Sequence, residues 1–170
     1  MDDIMLDCEN RLRAAEHFFE RARDQSLSET QHIWYIQATV IFAIAAIENL
    51  LYDFSERKTG KSLKQTKLTR NDLRSMSCSA FCDWIEQQES RSPLYNFLRA
   101  ERHLIVHRGE PPKRARLVIS QPLGGGEATW TVTHCFEGWE QESIDDACRS
   151  LIQWVEGVIK QTKAQYPEIS

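Results

Sequence analysis

The chain has 170 residues, of which 27% are charged and 41% hydrophobic, and its formal net charge is −4. This length and composition are typical of one soluble domain that is large enough to bury a core. The negative net charge argues against a protein that coats nucleic acid through its overall field. The longest uncharged apolar run, 38–47, is too short to span a bilayer, and the acidic N-terminus resembles neither a secretion signal nor a transit peptide. We therefore expect a cytoplasmic protein.

The cysteines are scattered along the chain, and no two of them form a Cys-x-x-Cys pair; they are Cys8, Cys78, Cys82, Cys135 and Cys148. A structural zinc site needs repeated ligand pairs at short spacing, and His134 beside Cys135 does not supply them. We therefore expect buried reduced thiols, no metal site and no cofactor.

Apolar residues recur three and four positions apart in several segments, which predicts a series of amphipathic helices. The second is expected to be the central helix because it is apolar almost all round between 38 and 47. Ser28, followed three residues later by Gln31, predicts its N-terminal cap, and Gly60 predicts its end. The other predicted helices cover 3–24, 72–88, 93–108 and 142–164, and a basic stretch without an acid covers 57–70.

The periodicity changes between the last two helices. Two β-branched segments, 114–120 and 128–134, flank the glycine-rich sequence QPLGGGE, and this pattern predicts a β-hairpin at about 115–135. The glycines are interpreted as a turn, because a phosphate-binding loop would need a following lysine and a strand-to-helix context. The predicted fold class is all-α: one domain over 1–170, an antiparallel helical bundle with a β-hairpin inserted before the last helix.

The segment 99–112, RAERHLIVHRGEPP, crowds cationic and titratable side chains at one helix end. On a helical wheel Arg102 falls inside the apolar arc of this helix. A desolvated guanidinium costs several kcal/mol unless it has a partner. Glu48 is the one acidic residue between positions 30 and 52, so it either points outward to water or pairs with Arg102.

These residues carry a resemblance to a known family. Arg102, four intervening residues and His107, with the polar His103 directly after the arginine, resemble the motif of the HEPN superfamily near the end of a late bundle helix. The segment 43–54, AIAAIENLLYDF, is similar to the acid-bearing core helix of many such proteins. The resemblance implies a HEPN-like helical bundle.

The resemblance also implies an activity. Many HEPN proteins are metal-independent endoribonucleases of toxin–antitoxin, anti-phage defence and RNA-processing systems, and they act as homodimers on RNA. Carried onto this chain, His107 would be the acid/base on the ribose 2′-hydroxyl or the leaving oxygen, and Arg102 would hold the scissile phosphate. His103 and Glu48 would orient these two groups. Histidine titrates near neutrality, and arginine presents a fixed fork of donors to phosphate.

The basic residues around the motif are candidates for RNA binding, namely Arg99, Arg108, Lys113 and Arg114. Together with the basic stretch 57–70 they would give an acidic protein a local positive surface and salt-dependent RNA binding. The alternative is a solvated charged face without a ligand.

The chain departs from one part of the family pattern. One group of HEPN toxins has a tyrosine two residues after the histidine, which a partner nucleotidyltransferase antitoxin modifies; here that position is Gly109. An antitoxin or effector protein of another kind stays open as a partner. So do two other interpretations: a catalytically silent HEPN-like module that binds a ligand or partner, and an unrelated helical protein in which Arg102 closes a core salt bridge and His107 meets a helix dipole.

Overall fold

The computed structural model describes residues 7–60, 69–108, 113–120 and 129–167, with side chains described outside positions 77 and 103–132. The described chain is mostly helical, as the all-α prediction requires. Its elements in chain order are α1 (Asp7–Ala22), α2 (Glu29–Thr59), α3 (Arg70–Leu73), α4 (Ser79–Ser90), α5 (Pro93–Arg108), β1 (Lys113–Ser120), β2 (Thr129–Phe136) and α6 (Ile144–Gln165).

The central helix α2 has the boundaries that the sequence predicts. The Ser28 hydroxyl accepts a hydrogen bond from the Gln31 backbone N–H at 3.3 Å, and the Gln31 side chain accepts one from the Ser28 N–H at 3.0 Å. This reciprocal pair satisfies two N–H groups that the first turn leaves unbonded. The helix ends at Gly60 with φ of 67°, a left-handed conformation that glycine adopts without a Cβ clash. Both predicted boundaries are confirmed.

The core is built around α2. Helix α1 lies antiparallel to it, because the Cys8 backbone N–H reaches Asp53 near one end and the Phe18 ring stacks on Tyr35 near the other. Helix α6 packs against both helices. Each fully buried large apolar side chain contributes about 1.5–3 kcal/mol. Such residues on α2 are Ile36, Val40, Ile44, Ile47, Leu50 and Phe54.

By length and composition α2 could also cross a membrane, although its uncharged run 38–47 alone could not. Half of its most apolar window, 50%, is buried inside the fold. The core helix of a helical bundle has this character, since it is covered on one side by its neighbours. We therefore describe α2 as the core of the bundle.

The prediction of one regular third helix over 72–88 is wrong in its boundaries and in its regularity. Helix α3 begins earlier, at Arg70, where Thr69 and Asp72 form a second capping box. The five residues Arg74–Cys78 then form a π-helical turn before α4 continues to Ser90. One cause is local, because the Ser75 hydroxyl donates to the Asp72 carbonyl at 2.6 Å and competes for a helix acceptor.

Strands β1 and β2 form an antiparallel pair, with Lys113 opposite Phe136 and Ser120 opposite Thr129. The glycine-rich turn predicted at 121–127 lies outside the described residues. After β2 the Trp139 ring stacks on Phe97 of α5, with 5.5 Å between ring centroids. The chain connecting β2 to α6 is thereby tied to α5.

Asp53 of α2 holds the start of α1. Asp53 is only 7% exposed, and its carboxylate accepts a hydrogen bond from the Cys8 backbone N–H at 2.9 Å. This N–H is one of the four in the first turn of α1 that have no partner within the helix. Burial raises the pKa of the Asp53 carboxyl, and the hydrogen bonds from Cys8 oppose that rise. All five cysteines, Cys8 among them, are buried reduced thiols as the sequence predicts.

We expect Asp53→Asn to remove one pH-dependent part of the stability. Because the folded pKa of Asp53 is raised, its contribution is fully present below the ordinary value of 3.8 and is lost as pH rises through the folded value. The amide of asparagine keeps a cap acceptor but does not titrate. The measurement is urea unfolding of both proteins from pH 3.5 to 7: relative to wild type, the variant should gain stability as pH rises.

The control is Asp24→Asn. The hydrogen bonds from Ser26 hold the pKa of the Asp24 carboxyl below its usual range, so the difference between this variant and wild type should change with pH in the opposite direction. A pH profile of Asp53→Asn parallel to that of wild type would contradict the assignment.

Candidate functional site

Arg102 of α5 and Glu48 of α2 form an ion pair. The Arg102 Nη1 donates to the Glu48 Oε1 at 2.6 Å. The hypothesis that Glu48 pairs with Arg102 is thus confirmed. The expectation that Arg102 is desolvated is wrong, because the two side chains are 33% and 37% exposed. Leu98, one turn earlier on α5, is fully buried, so Arg102 lies where the packing of α5 on α2 comes to its edge.

A second carboxylate, Glu89 at the end of α4, is nearly buried, with 5% of the residue exposed. Its two oxygens accept a bidentate pair of hydrogen bonds from the Arg70 guanidinium. Arg99 donates to it at 3.3 Å, and so does the Tyr95 hydroxyl. Burial and the neighbouring Glu89 raise the pKa of Tyr95, which keeps its hydroxyl protonated as a donor. We call this group the Glu89 cluster: Glu89, Arg70, Tyr95 and Arg99.

The Glu89 cluster continues to the surface through Glu86, which lies 3.6 Å from Arg70 and also meets Arg74. This guanidinium donates to Glu86 at 2.7 Å and to Asp83 at 2.8 Å. The hydrogen bond from Arg74 holds the pKa of the Glu86 carboxyl below its usual range. Exposed pairs of this kind contribute little stability, about 0.2–1 kcal/mol each, so the buried Glu89 is the energetic centre of the network.

A groove of about 250 Å³ lies between α2, α3 and α5 and is lined by Glu48, Leu51, Tyr52, Arg70, Leu73 and Arg99. Two of its guanidiniums belong to the Glu89 cluster, and its carboxylate is the partner of Arg102. Arg70 is also met by Glu86 at 3.6 Å, so three guanidiniums stand around the groove against three carboxylates. The N–H groups that Arg99 and Arg102 do not use on these carboxylates suit an anion.

The remaining predicted site residues are placed by the backbone alone. His103, His107 and Arg108 belong to the last turns of α5, and Lys113 and Arg114 begin β1; the contacts of their side chains lie outside the described residues. A regular helix separates positions 102 and 107 by about 7.5 Å along its axis and about 140° around it.

A larger cavity, of about 610 Å³, lies at the other end of α2, by the α1–α2 turn and the start of α6. Its His32 side chain already meets the Ala22 carbonyl at 2.9 Å. His32 lies about 24 Å along α2 from Glu48, since sixteen residues separate them. The cavity is therefore separate from the arginine-lined groove, although it is the larger of the two.

Within the described ranges, no group of three or more histidine, cysteine, aspartate or glutamate side chains is arranged to hold a metal ion. No protein-family model, curated protein or solved structure matches the chain.

The Glu89 cluster could not be predicted from the sequence. Arg70 is one cation of the basic stretch 57–70, and no spacing connects it with Glu89. The one local signal is Tyr95, a fully buried hydroxyl that needs a hydrogen-bond partner. Nothing in the sequence identifies that partner.

We expect the two carboxylates to differ sharply in their contribution to stability. Glu89→Ala leaves the largely buried Arg70 without its bidentate partner and should lower the free energy of unfolding by about 3–5 kcal/mol. Glu48→Ala breaks a pair that is one-third exposed and should cost about 1 kcal/mol or less. Urea unfolding measures both. The matched control is Glu156→Ala on α6, whose exposed pair with Lys160 should cost about 0.5 kcal/mol or less. Equal losses for Glu48→Ala and Glu89→Ala would contradict this ranking.

Proposed function

We propose that the protein is a metal-independent endoribonuclease of HEPN type, which cuts RNA by 2′-hydroxyl attack at a site formed across a homodimer. The observation that carries the proposal is the environment of Arg102. Its guanidinium is partly exposed and is fixed by Glu48 at 2.6 Å, and it lies on the same helix as His107. The enzyme acts in the cytoplasm as a toxin, defence or RNA-processing nuclease, and an antitoxin or effector protein restrains it.

Arg102 has donors to spare for a phosphate. A guanidinium carries five N–H groups, and a single one of them is used on Glu48. The remaining donors bind the nonbridging oxygens of the scissile phosphate, where negative charge builds up in the transition state. Glu48 is then a positioning residue, because it fixes the guanidinium before the RNA arrives.

His107 moves the proton. The ribose 2′-oxygen forms a bond to the adjacent phosphorus while the bond from phosphorus to the 5′-oxygen breaks. The proton leaves the 2′-hydroxyl and arrives on the departing 5′-oxygen, and His107 serves one or both transfers because histidine titrates near neutrality. His103 orients this exchange. The products are a 2′,3′-cyclic phosphate and a 5′-hydroxyl.

RNA is held by positive charge concentrated beside the site. Arg99 lies one turn before Arg102 on α5 and lines the groove. Arg108, Lys113 and Arg114 follow along the chain and add further positive charge. Phosphate contacts of this kind release counterions, so binding weakens steeply as salt rises.

The homodimer forms through a stripe on α2 that the described part of the fold covers only in part. Trp34 is 60% exposed, and Ala38, Ile41 and Ala45 follow partly exposed at spacings of four, three and four. This is the spacing of a helix–helix seam, and the alanines allow a close approach. A second copy is the occupant, because a stripe of this kind pairs with itself about a two-fold axis. The stripe ends one turn before Glu48, so the interface is continuous with the site.

A second candidate is a catalytically silent HEPN-like module that binds a ligand or a partner protein. The observation that favours it is that Arg102 and Arg99 each already donate to a carboxylate. Such pairs orient two helices equally well when no phosphate is bound. The two candidates differ in whether RNA is cut.

Purified protein in excess EDTA should cut single-stranded or loop RNA and leave 2′,3′-cyclic phosphate and 5′-hydroxyl ends. His107→Ala should lower the rate about 10²–10⁴-fold, which is the usual contribution of a positioned acid/base. Arg102→Ala should lower it at least as much, since it removes the electrostatic stabilisation of the phosphate. Gel analysis of end-labelled RNA measures the rate and identifies the ends.

The controls are His17→Ala and Arg149→Ala, which remove an exposed histidine and an exposed arginine far along the chain from the motif. Both should keep the wild-type rate, and thermal melts should show that all four variants fold. Equal cleavage by wild type and the His107 variant would indicate a contaminating nuclease. A folded dimer that cuts no RNA would favour the silent module.

We expect light scattering at micromolar concentration to give a dimer for wild type and a monomer for Trp34→Glu. The added charges would face each other in the seam, whereas an exposed side chain tolerates the change in the monomer. The control is Ala80→Glu, which adds the same charge at an exposed position of α4 and should remain dimeric. A Trp34→Glu protein that stays dimeric would place the interface elsewhere.

A further inference from the structure

We infer that the groove between α2, α3 and α5 binds the nucleotide next to the scissile phosphate, with Arg99 on its phosphate and Tyr52 beside its base. Its place on a cleaved RNA rests on the proposed function. The binding of a nucleoside monophosphate by the groove does not, and it can be measured on its own.

The unused donors of Arg99 in the Glu89 cluster are the first argument. One bidentate arginine is enough to neutralise a buried carboxylate, and Arg70 makes that contact. Arg99 adds a second guanidinium to the same carboxylate through a weaker contact at 3.3 Å, with 40% of its side chain exposed. Arg70 is also met by Glu86 at 3.6 Å, so Arg99 is not needed to balance Glu89 and is held at the wall of the groove by one contact. A phosphate accepts from the N–H groups of Arg99 that Glu89 leaves unused.

The size and lining of the groove are the second argument. A volume of about 250 Å³ is below that of a typical site for a drug-sized ligand, so it suits one nucleotide. Leu51, Leu73 and Tyr52 give the groove an apolar side. Each of the bases can stack on an aromatic side chain. We therefore expect Tyr52 to contribute affinity without a preference for one base.

The position of the groove is the third argument. Arg99 lies three residues before Arg102, which is about 4.5 Å along α5. Glu48 belongs both to the groove wall and to the pair with Arg102. A strand whose scissile phosphate lies on Arg102 therefore has its neighbouring nucleotide at the groove, and Glu48 stands between them as an acceptor for a ribose hydroxyl.

The first test is equilibrium titration of the intact protein with 5′-AMP, adenosine and inorganic phosphate, each at low salt. 5′-AMP should bind more tightly than either fragment. Arg99→Gln should weaken 5′-AMP binding at least tenfold and reduce its salt dependence. The fold should tolerate this change because Arg70 and Tyr95 still hold Glu89. Tyr52→Leu should weaken 5′-AMP but leave phosphate binding unchanged, and Tyr52→Phe should restore 5′-AMP binding. The control, Arg149→Gln on α6, should bind as wild type does.

The second test is RNA cleavage by the same variants. Arg99→Gln should raise KM at least tenfold with less than a threefold change in kcat. Unchanged 5′-AMP binding in both the Arg99 and Tyr52 variants, or no binding by wild type, would overturn the inference while leaving the proposed function intact. Binding that depends on Arg99 and Tyr52 in a protein that cuts no RNA would support the groove and overturn the nuclease. Phosphate binding equal to that of 5′-AMP would also overturn the inference, because the groove would then be a simple anion site.

Discussion

A helix as apolar as α2 must be covered, and this constraint places the other helices. Helices α1 and α6 bury one side of it, and α5 adds a further contact. The cover stops short of the whole circumference, which leaves a stripe from Trp34 to Ala45 partly in water. The site lies where that stripe meets the edge of α5. A helix bundle needs polar residues at such an edge, since an apolar side chain gains little there and a paired charge loses little solvation.

The two carboxylates at this edge, Glu89 and Glu48, have different roles in the fold. Glu89 is nearly buried, so it requires guanidinium partners and draws α3 and α5 together around itself. Glu48 keeps about a third of its side chain in water, so the pair with Arg102 has little to do with holding the fold. A contact that contributes little stability but fixes a cation at a groove is more useful for positioning a ligand than for folding. Sites that place charge in advance avoid reorganising it when the ligand binds.

Features that depend on neighbours in the chain could be predicted from the sequence. The cap of α2 at Ser28, its end at Gly60 and the start of α5 at Pro93 are all set by side chains within a few residues. The Glu48–Arg102 pair could be predicted across 54 positions because the apolar stretch offers a single acid. Its exposure could not, since a helical wheel gives the direction of a side chain but not the depth of packing over it. The contact between Arg70 and Glu89 spans a π-helical turn, and no periodicity predicts where such a turn falls.

The proposed binding of RNA sets a requirement on the distribution of charge in an acidic chain. With a net charge of −4, the whole surface repels a polyanion, and beyond about 8–10 Å salt screens any single cation. Only guanidiniums held close together act on a phosphate, and free arginines placed side by side would repel each other and move apart. Glu89 prevents this by binding Arg70 and Arg99 at once. Arg99 is thereby held at the groove wall with N–H groups that Glu89 does not use, by the same network that stabilises the fold.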